Sequence, residues 1–190
     1  MRENAKFLRS LLLHKWYVFK AGRLTGVPFW RRVFHDWSKF TPAEFGRYAR
    51  WHHGPAESKD KREWARAWQH HMHNNPHHPE FWLLAWHGDP IFYARDGIGE
   101  HVADGVIFLP VPETYVREMV ADWMAAGRTY AGDWVIANWV NEHGRKMHLH
   151  DETIALVDKI MLAVGYVQTD NCPWSYAASQ RVLDWAKGAG

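Results

Sequence analysis

The chain has 190 residues, 47 % hydrophobic and 23 % charged, with 23 Lys and Arg against 21 Asp and Glu for a formal net charge of +2. That balance fits a soluble protein long enough to bury one substantial core, so a single domain over 1–190 is expected, and it excludes disorder and a polybasic tail. The run from Phe7 to Phe19 is broken by Arg9 and Lys15, and the lone Cys172 has no partner for a disulfide or a thiolate–zinc site. A cytoplasmic location is therefore expected, with no membrane association and no stable nucleic-acid partner.

Helix signals dominate. Phe7, Leu8, Leu11, Leu12, Val18 and Phe19 recur at helical spacing and predict a helix over 4–20 that ends near Gly22. After a Gly26-Val27-Pro28 turn, Phe29 to Trp37 reads as a second helix closing on His35-Asp36. Thr41-Pro42-Ala43-Glu44 has the form of a capping box opening a third, with Glu44 reaching back to the cap. Residues 57–73 form a further helical pattern halted at Asn74-Asn75-Pro76, and 77–87 a short tryptophan-rich one. Between 91 and 109, short apolar runs separated by Asp96-Gly97 and Asp104-Gly105 indicate a small β-hairpin insertion. Pro112 opens a strong helix through Ala126, stopped by Gly127, and helices near 133–143, 152–164 and 174–187 complete an all-α bundle.

Thirteen tryptophans and 14 histidines stand out. The tryptophans are expected chiefly in the core, where large aromatics bury much area. The histidines cluster at His52-His53, His70-His71, His73 and His77-His78, and imidazole is the commonest metal ligand. His14 follows Phe7 and Leu11 and precedes Val18 on one helical stripe, so it points inward. Asp122 shares a stripe with Tyr115, Met119 and Ala126, and Glu118 stands one turn before it. A buried carboxylate is costly unless paired or metal-bound, so an inward His and an inward Asp, with His35-Asp36 at a helix end, invite a shared cation. Taken singly, His14 fits a hydrogen-bonded core histidine and Asp122 a salt bridge; together with His35-Asp36 they favour a metal.

The order His14, His35-Asp36 with Ser38-Lys39 just after, and a distal Asp122 resembles the HD-domain superfamily of metal-dependent phosphohydrolases, the string HDWSK being similar to that superfamily's HDxGK segment. The wider run from HDWSKFTPAEF through AWQHHMHNNPHH to PETYVREMVADW also resembles a family found in phages and bacteria that brings no established activity. The HD resemblance implies an HD-like helical bundle in which His14, His35, Asp36 and Asp122 ligate a first metal and Asp36 bridges to a second. His71, His77 and His78 are the candidates for that second ion. Their spacing is shorter than in the cyclic-dinucleotide phosphodiesterases of the superfamily, and the Gly-Tyr-Pro motif of that group is missing. His52, His53 and His73 are assigned to the surface.

The chemistry implied is metal-assisted hydrolysis of a small phosphorylated substrate, a nucleotide among the candidates. One or two divalent ions (Mn, Fe, Zn, Co or Ni) would serve. Asp36, Lys39 and Glu118 are the expected catalytic residues: Lys39, with Arg31, Arg32 or Arg47, would hold phosphate oxygens, and Glu44 or Glu118 would orient the attacking water or the imidazoles. Trp37, Trp68 and Trp82 lie near enough in sequence to stack a base. The alternatives are an HD-fold di-iron oxygenase, a noncatalytic module holding a structural metal, and a metal-free helical protein; a homodimer is compatible with all of them.

Overall fold

The first helix is long because no proline interrupts it and its glycine is packed over. Helix α1 spans Arg2–Thr25, running past Gly22 and stopping just before Gly26, whose φ of +79° lets the chain turn back. Gly22 stays helical because the Arg32 side chain crosses it so closely that a Cβ would lie 2.8 Å from that side chain. The computed structural model describes residues 2–85, 102–103, 106–144, 147–170 and 174–189.

Helix α2 (Phe29–Phe34) is shorter than the sequence pattern implies. It ends one residue before His35, because Asp36 takes a left-handed backbone conformation (φ 55°, ψ 26°) before a 3-10 turn at Trp37–Phe40. Helix α3 (Phe45–His53) also departs from expectation. The Thr41 hydroxyl donates to the Ser38 carbonyl and Glu44 is buried, so no capping box forms; tertiary partners claim the glutamate. Helix α4 (Lys61–Asn74) is capped by Asp60, whose carboxylate accepts from the Arg62 N–H at 2.7 Å.

The stretch expected as a helix over 77–87 is instead a 3-10 turn at Pro79–Trp82 running into strand β1 (Leu83–Ala85). Strand β1 pairs antiparallel with β3 (Val106–Phe108), which also pairs with β2 (Val102–Ala103). This β2–β3 pairing falls within the expected hairpin; 91–101 and 104–105 lie outside the described residues. Helix α5 (Glu113–Ala126) continues into a π-helical turn, Gly127–Ala131. Then come α6 (Ala137–His143), α7 (Asp151–Val164) and α8 (Gln180–Gly188). Helix α6 starts later than the pattern near 133, and the helix expected over 174–187 begins only at Gln180. Before it, β5 (Tyr176–Ala178) pairs antiparallel with β4 (Tyr166–Gln168), the strand just before it in the chain, a hairpin that the helical pattern does not announce. The fold is mostly helical, with these two small sheets.

Helix α5 is the centre of the core, with Val116, Met119, Val120, Ala121, Met124 and Ala125 all buried between α1 and α7. A second cluster joins Phe7 and Leu11 of α1 to Tyr48, Ala49 and Ala67. Only some tryptophans build this core: Trp134 and Trp174 lie in it, and Trp82, Trp123 and Trp185 pack against it. Among the described ones only Trp134 and Trp174 are buried, while Trp16, Trp30, Trp37 and Trp139 are exposed. Close helix packing over alanine and valine leaves little room for indoles. Among the described residues no helix is long and apolar enough to cross a membrane.

If α5 is the keystone, Met124→Ala, at a fully buried position, costs about 2–5 kcal/mol. Leu162→Ala, at a position 44 % exposed, stays within about 0.5 kcal/mol. Urea unfolding of both variants checks the pair; equal losses would contradict this packing.

Candidate metal centre

Four segments deliver their polar side chains to one point. Helix α1 contributes His14 on its inward stripe, between its contacts to the two apolar clusters. The turn after α2 contributes His35, Asp36, Ser38 and Lys39. The last turn of α4 and the loop beyond it supply His71, Asn75, His77 and His78, and α5 supplies Glu118 and Asp122. The left-handed Asp36 is what turns the chain so that neighbouring His35 and Asp36 side chains both face inward. Such backbone is sparsely populated for a non-glycine residue and is stored mostly at functional sites.

Asp36 sits at the middle, 1 % exposed. Its Oδ2 lies 3.5 Å from His35 Nε2 and 3.8 Å from His14 Nε2, and its Oδ1 lies 3.5 Å from His71 Nε2 and 3.4 Å from His77 Nε2. Asp122 Oδ1 approaches His14 Nε2 at 2.9 Å and His35 Nε2 at 3.5 Å, while its Oδ2 is 3.9 Å from His77 Nε2. His71 Nε2 and His78 Nε2 face each other at 2.9 Å. Three overlapping sets of donor atoms each converge within 4.8 Å: Asp36, His71, His77 and His78; His14, His35 and Asp36; and His35, His77 and Asp122.

These atoms fit a cation better than they fit one another. Among the described residues, His35 Nε2, Asp36 Oδ1 and His77 Nε2 are buried with no hydrogen-bond partner. Their nearest oppositely charged atoms, at 3.4–3.5 Å, are too far for good hydrogen bonds. A buried polar atom left in that condition costs free energy that coordination would recover. The buried His/Asp cluster can thus hold a metal ion, with nitrogen and oxygen donors suited to transition metals.

The outward-facing ring nitrogens are anchored to carboxylates. Glu118 Oε1 lies 3.0 Å from His35 Nδ1 and 3.5 Å from His77 Nδ1, and its Oε2 accepts from Arg31 Nε and Nη2 at 2.7 and 2.6 Å. Glu44, fully buried, holds His71 Nδ1 at 3.0 Å and His70 Nδ1 at 2.6 Å. An imidazole that donates Nδ1–H to a carboxylate presents Nε2 as an acceptor, and this pairing fixes metal-binding histidines elsewhere. The Trp82 indole N–H donates to the Pro76 carbonyl at 2.7 Å, pinning the loop that carries His77 and His78.

The charges are strongly coupled. Burial alone would raise the Asp36 carboxyl, but His35, Lys39 and His71 outweigh it and hold it well below the usual carboxylate range. Asp122 is likewise held low: burial is overcome by the hydrogen bond with His14 at 2.9 Å and by the nearness of His14 and His35. For His35, burial opposes the proton while Asp36, Asp122 and Glu118 favour it, pushing the ring up to about 10. Burial, then the neighbouring His77 and His71, drives His78 well below its ordinary value, and burial lowers His14 against the pull of Asp122. Lys39 Nζ lies 2.5 Å from Asp36 Oδ2, and Asp36 and Asp122 keep it protonated despite burial.

Every residue expected to bind metal (His14, His35, Asp36, His71, His77, His78 and Asp122) lies in this cluster. Lys39 lies beside it. Glu118, expected among the catalytic residues to orient the attacking water or the imidazoles, has both oxygens committed to imidazoles and Arg31, the geometry of the second of those roles. Arg32 stacks near Phe19 and Arg47 pairs with Glu63, so neither reaches the cluster. Trp37 lies among Phe34 and Phe40, Trp68 packs against His71 and His78, and Trp82 serves the loop. His52 and His73 are exposed and His53 half-buried. Sequence reasoning missed Asn75, read only as a helix stop; its amide donates to Ser38 Oγ and to the His71 carbonyl, both at 2.7 Å. Its i+4 spacing from His71 was the available signal.

A family model described as a family of unknown function, DUF5662, matches residues 3–163. No curated protein and no solved structure matches the chain.

Replacing Glu118 with Gln keeps its size but removes the charge that aligns His35 and His77. Metal affinity, measured by competition with a chromophoric chelator, is expected to fall about 10–100-fold. An unchanged affinity would separate Glu118 from metal binding.

Proposed function

The chain belongs to the DUF5662 family of unknown function, and from the site it carries we propose that it is a metal-dependent phosphoester hydrolase of HD type, in which Asp36 would be the shared ligand of one or two ions. One observation carries this reading: the two oxygens of a single buried carboxylate lie nearest different imidazoles, Oδ2 near His14 and His35, Oδ1 near His71 and His77. Asp122 would complete the first set and His78 the second.

Bound there, metal ions supply an acidified water and neutralise charge on a phosphoryl oxygen. The chain's own groups do the remainder. Lys39, 18 % exposed at the cluster's edge, offers an ammonium to a phosphate oxygen. Glu118 and Glu44 keep the imidazoles aligned. Asp122 and His78, 17 % and 15 % exposed, leave one side of the cluster open, whereas a purely structural metal would be sealed. On the His77 side, a cavity of about 300 Å³ lined by Trp30, Arg31, Phe34 and Asn75 reaches the cluster. A small phosphorylated compound is the expected substrate class.

A second reading has its own support. Five imidazoles against two carboxylates make a nitrogen-rich set compatible with iron and oxygen activation. Oxygen-dependent turnover by the iron-loaded protein would favour it.

Release of p-nitrophenol from bis(p-nitrophenyl) phosphate by Mn-, Fe- or Zn-loaded protein in anaerobic buffer tests the hydrolase. Wild type is expected to turn over, Asp36→Ala to lose activity, and Lys39→Ala to fall about 100-fold in kcat. Undiminished turnover in Asp36→Ala, or none in wild type with any of these metals, would overturn it.

A further inference from the structure

A second cavity, of about 400 Å³, opens beside the metal cluster and is lined by Trp123, Ala126, Tyr130, Ile136, Asn138 and Trp139. Its size is that of a small-molecule site. Its walls are largely apolar and aromatic, with Asp133 and Asn138 as the polar groups, and the Trp123 and Trp139 rings lie 5.5 Å apart at 50°. Tyr130 is 71 % exposed and Trp139 40 %, although the core a few residues away, at Val140, is fully buried.

Two features join this cavity to the metal cluster. Ala126 stands one helical turn beyond Asp122, so their side chains are neighbours on one face of α5. Tyr130 closes the remaining gap, its ring near-parallel to the His14 ring at 24° with centroids 6.4 Å apart. Tyr130 is carried by the π-helical turn Gly127–Ala131, a rare form frequently found at functional sites.

We infer that this cavity is a subsite for a flat aromatic ring carried by the phosphoester whose phosphoryl group sits at the metal cluster. Aromatic walls reward a planar ring through offset and edge contacts that an alkyl chain does not make, and the Asn138 amide at the rim adds a donor and an acceptor for a polar ring. Two sources share this chemistry, a nucleobase and a simple aryl group. The placement of the phosphoryl group rests on the hydrolase reading; the ring subsite itself does not.

The test separates the two. Adenosine, phenol and hexanol, none of which has a phosphate, are titrated into the protein while tryptophan fluorescence and amide NMR shifts are followed in wild type, Trp139→Ala and Trp139→Phe. Adenosine or phenol is expected to bind, with shifts at Tyr130 and Ile136, to weaken roughly tenfold in Trp139→Ala, the loss of about one stacking contact, and to recover in Trp139→Phe. Whichever of the two binds tighter identifies the source. This result supports the subsite even if no phosphoester is hydrolysed. With an active enzyme, Trp139→Ala should raise KM for an aryl or nucleoside phosphodiester about tenfold more than it raises KM for dimethyl phosphate. Failure of both aromatic probes to bind, equal binding of hexanol, or equal KM effects on aromatic and methyl esters would overturn the subsite.

Discussion

The site depends on one buried carboxylate held in an unfavourable backbone conformation. Asp36 is the one non-glycine with positive φ among the described residues, and it lies almost wholly out of water among four imidazoles and an ammonium. Removing a carboxylate from water costs several kcal/mol unless opposite charge replaces the solvent. Here His35, Lys39 and His71 supply that charge in the protein alone. The left-handed turn that buries Asp36 also ends α2 early and starts the 3-10 turn that brings Ser38 and Lys39 to the same point. The local fold and the local chemistry are therefore set by the same residue.

Around this centre, the supporting groups fix orientation. Glu118 and Glu44 take the far nitrogens of His35, His77 and His71, Asn75 ties Ser38 to the end of α4, and Trp82 holds the loop bearing His77 and His78. Helices α1 and α5, packed tightly through small residues, set the separation of His14 and Asp122. A cluster of ligand-type atoms with its outer nitrogens already committed is preorganised, so little rearrangement opposes ion binding.

Much of this was legible in the sequence, and the remainder was hidden for identifiable reasons. The 3.6-residue periodicity placed His14 and Asp122 on inward stripes because α1 and α5 are long, regular and amphipathic. The adjacency of His35 and Asp36 was visible, but not the left-handed residue that shortens α2, since no local signal marks an aspartate for that conformation. Glu44 carried a sound capping-box pattern that lost to His70 and His71, partners 26 and 27 residues away. Strand β1 owes its form to pairing with the distant β3, and β5 to a short hairpin with β4 that carries no strong turn signal, so Leu83–Ala85 and Tyr176–Ala178 read as helix. Tyr130 was not found at all, because a π-helical turn has no sequence signature.

Elemental analysis of tag-free protein tests the central claim most directly. Wild type is expected to carry about two transition-metal ions per chain, with one lost in His14→Ala or His78→Ala and both in Asp36→Ala. Wild-type protein that binds no metal after reconstitution with Mn, Fe or Zn would contradict the account, as would metal retained in full by Asp36→Ala.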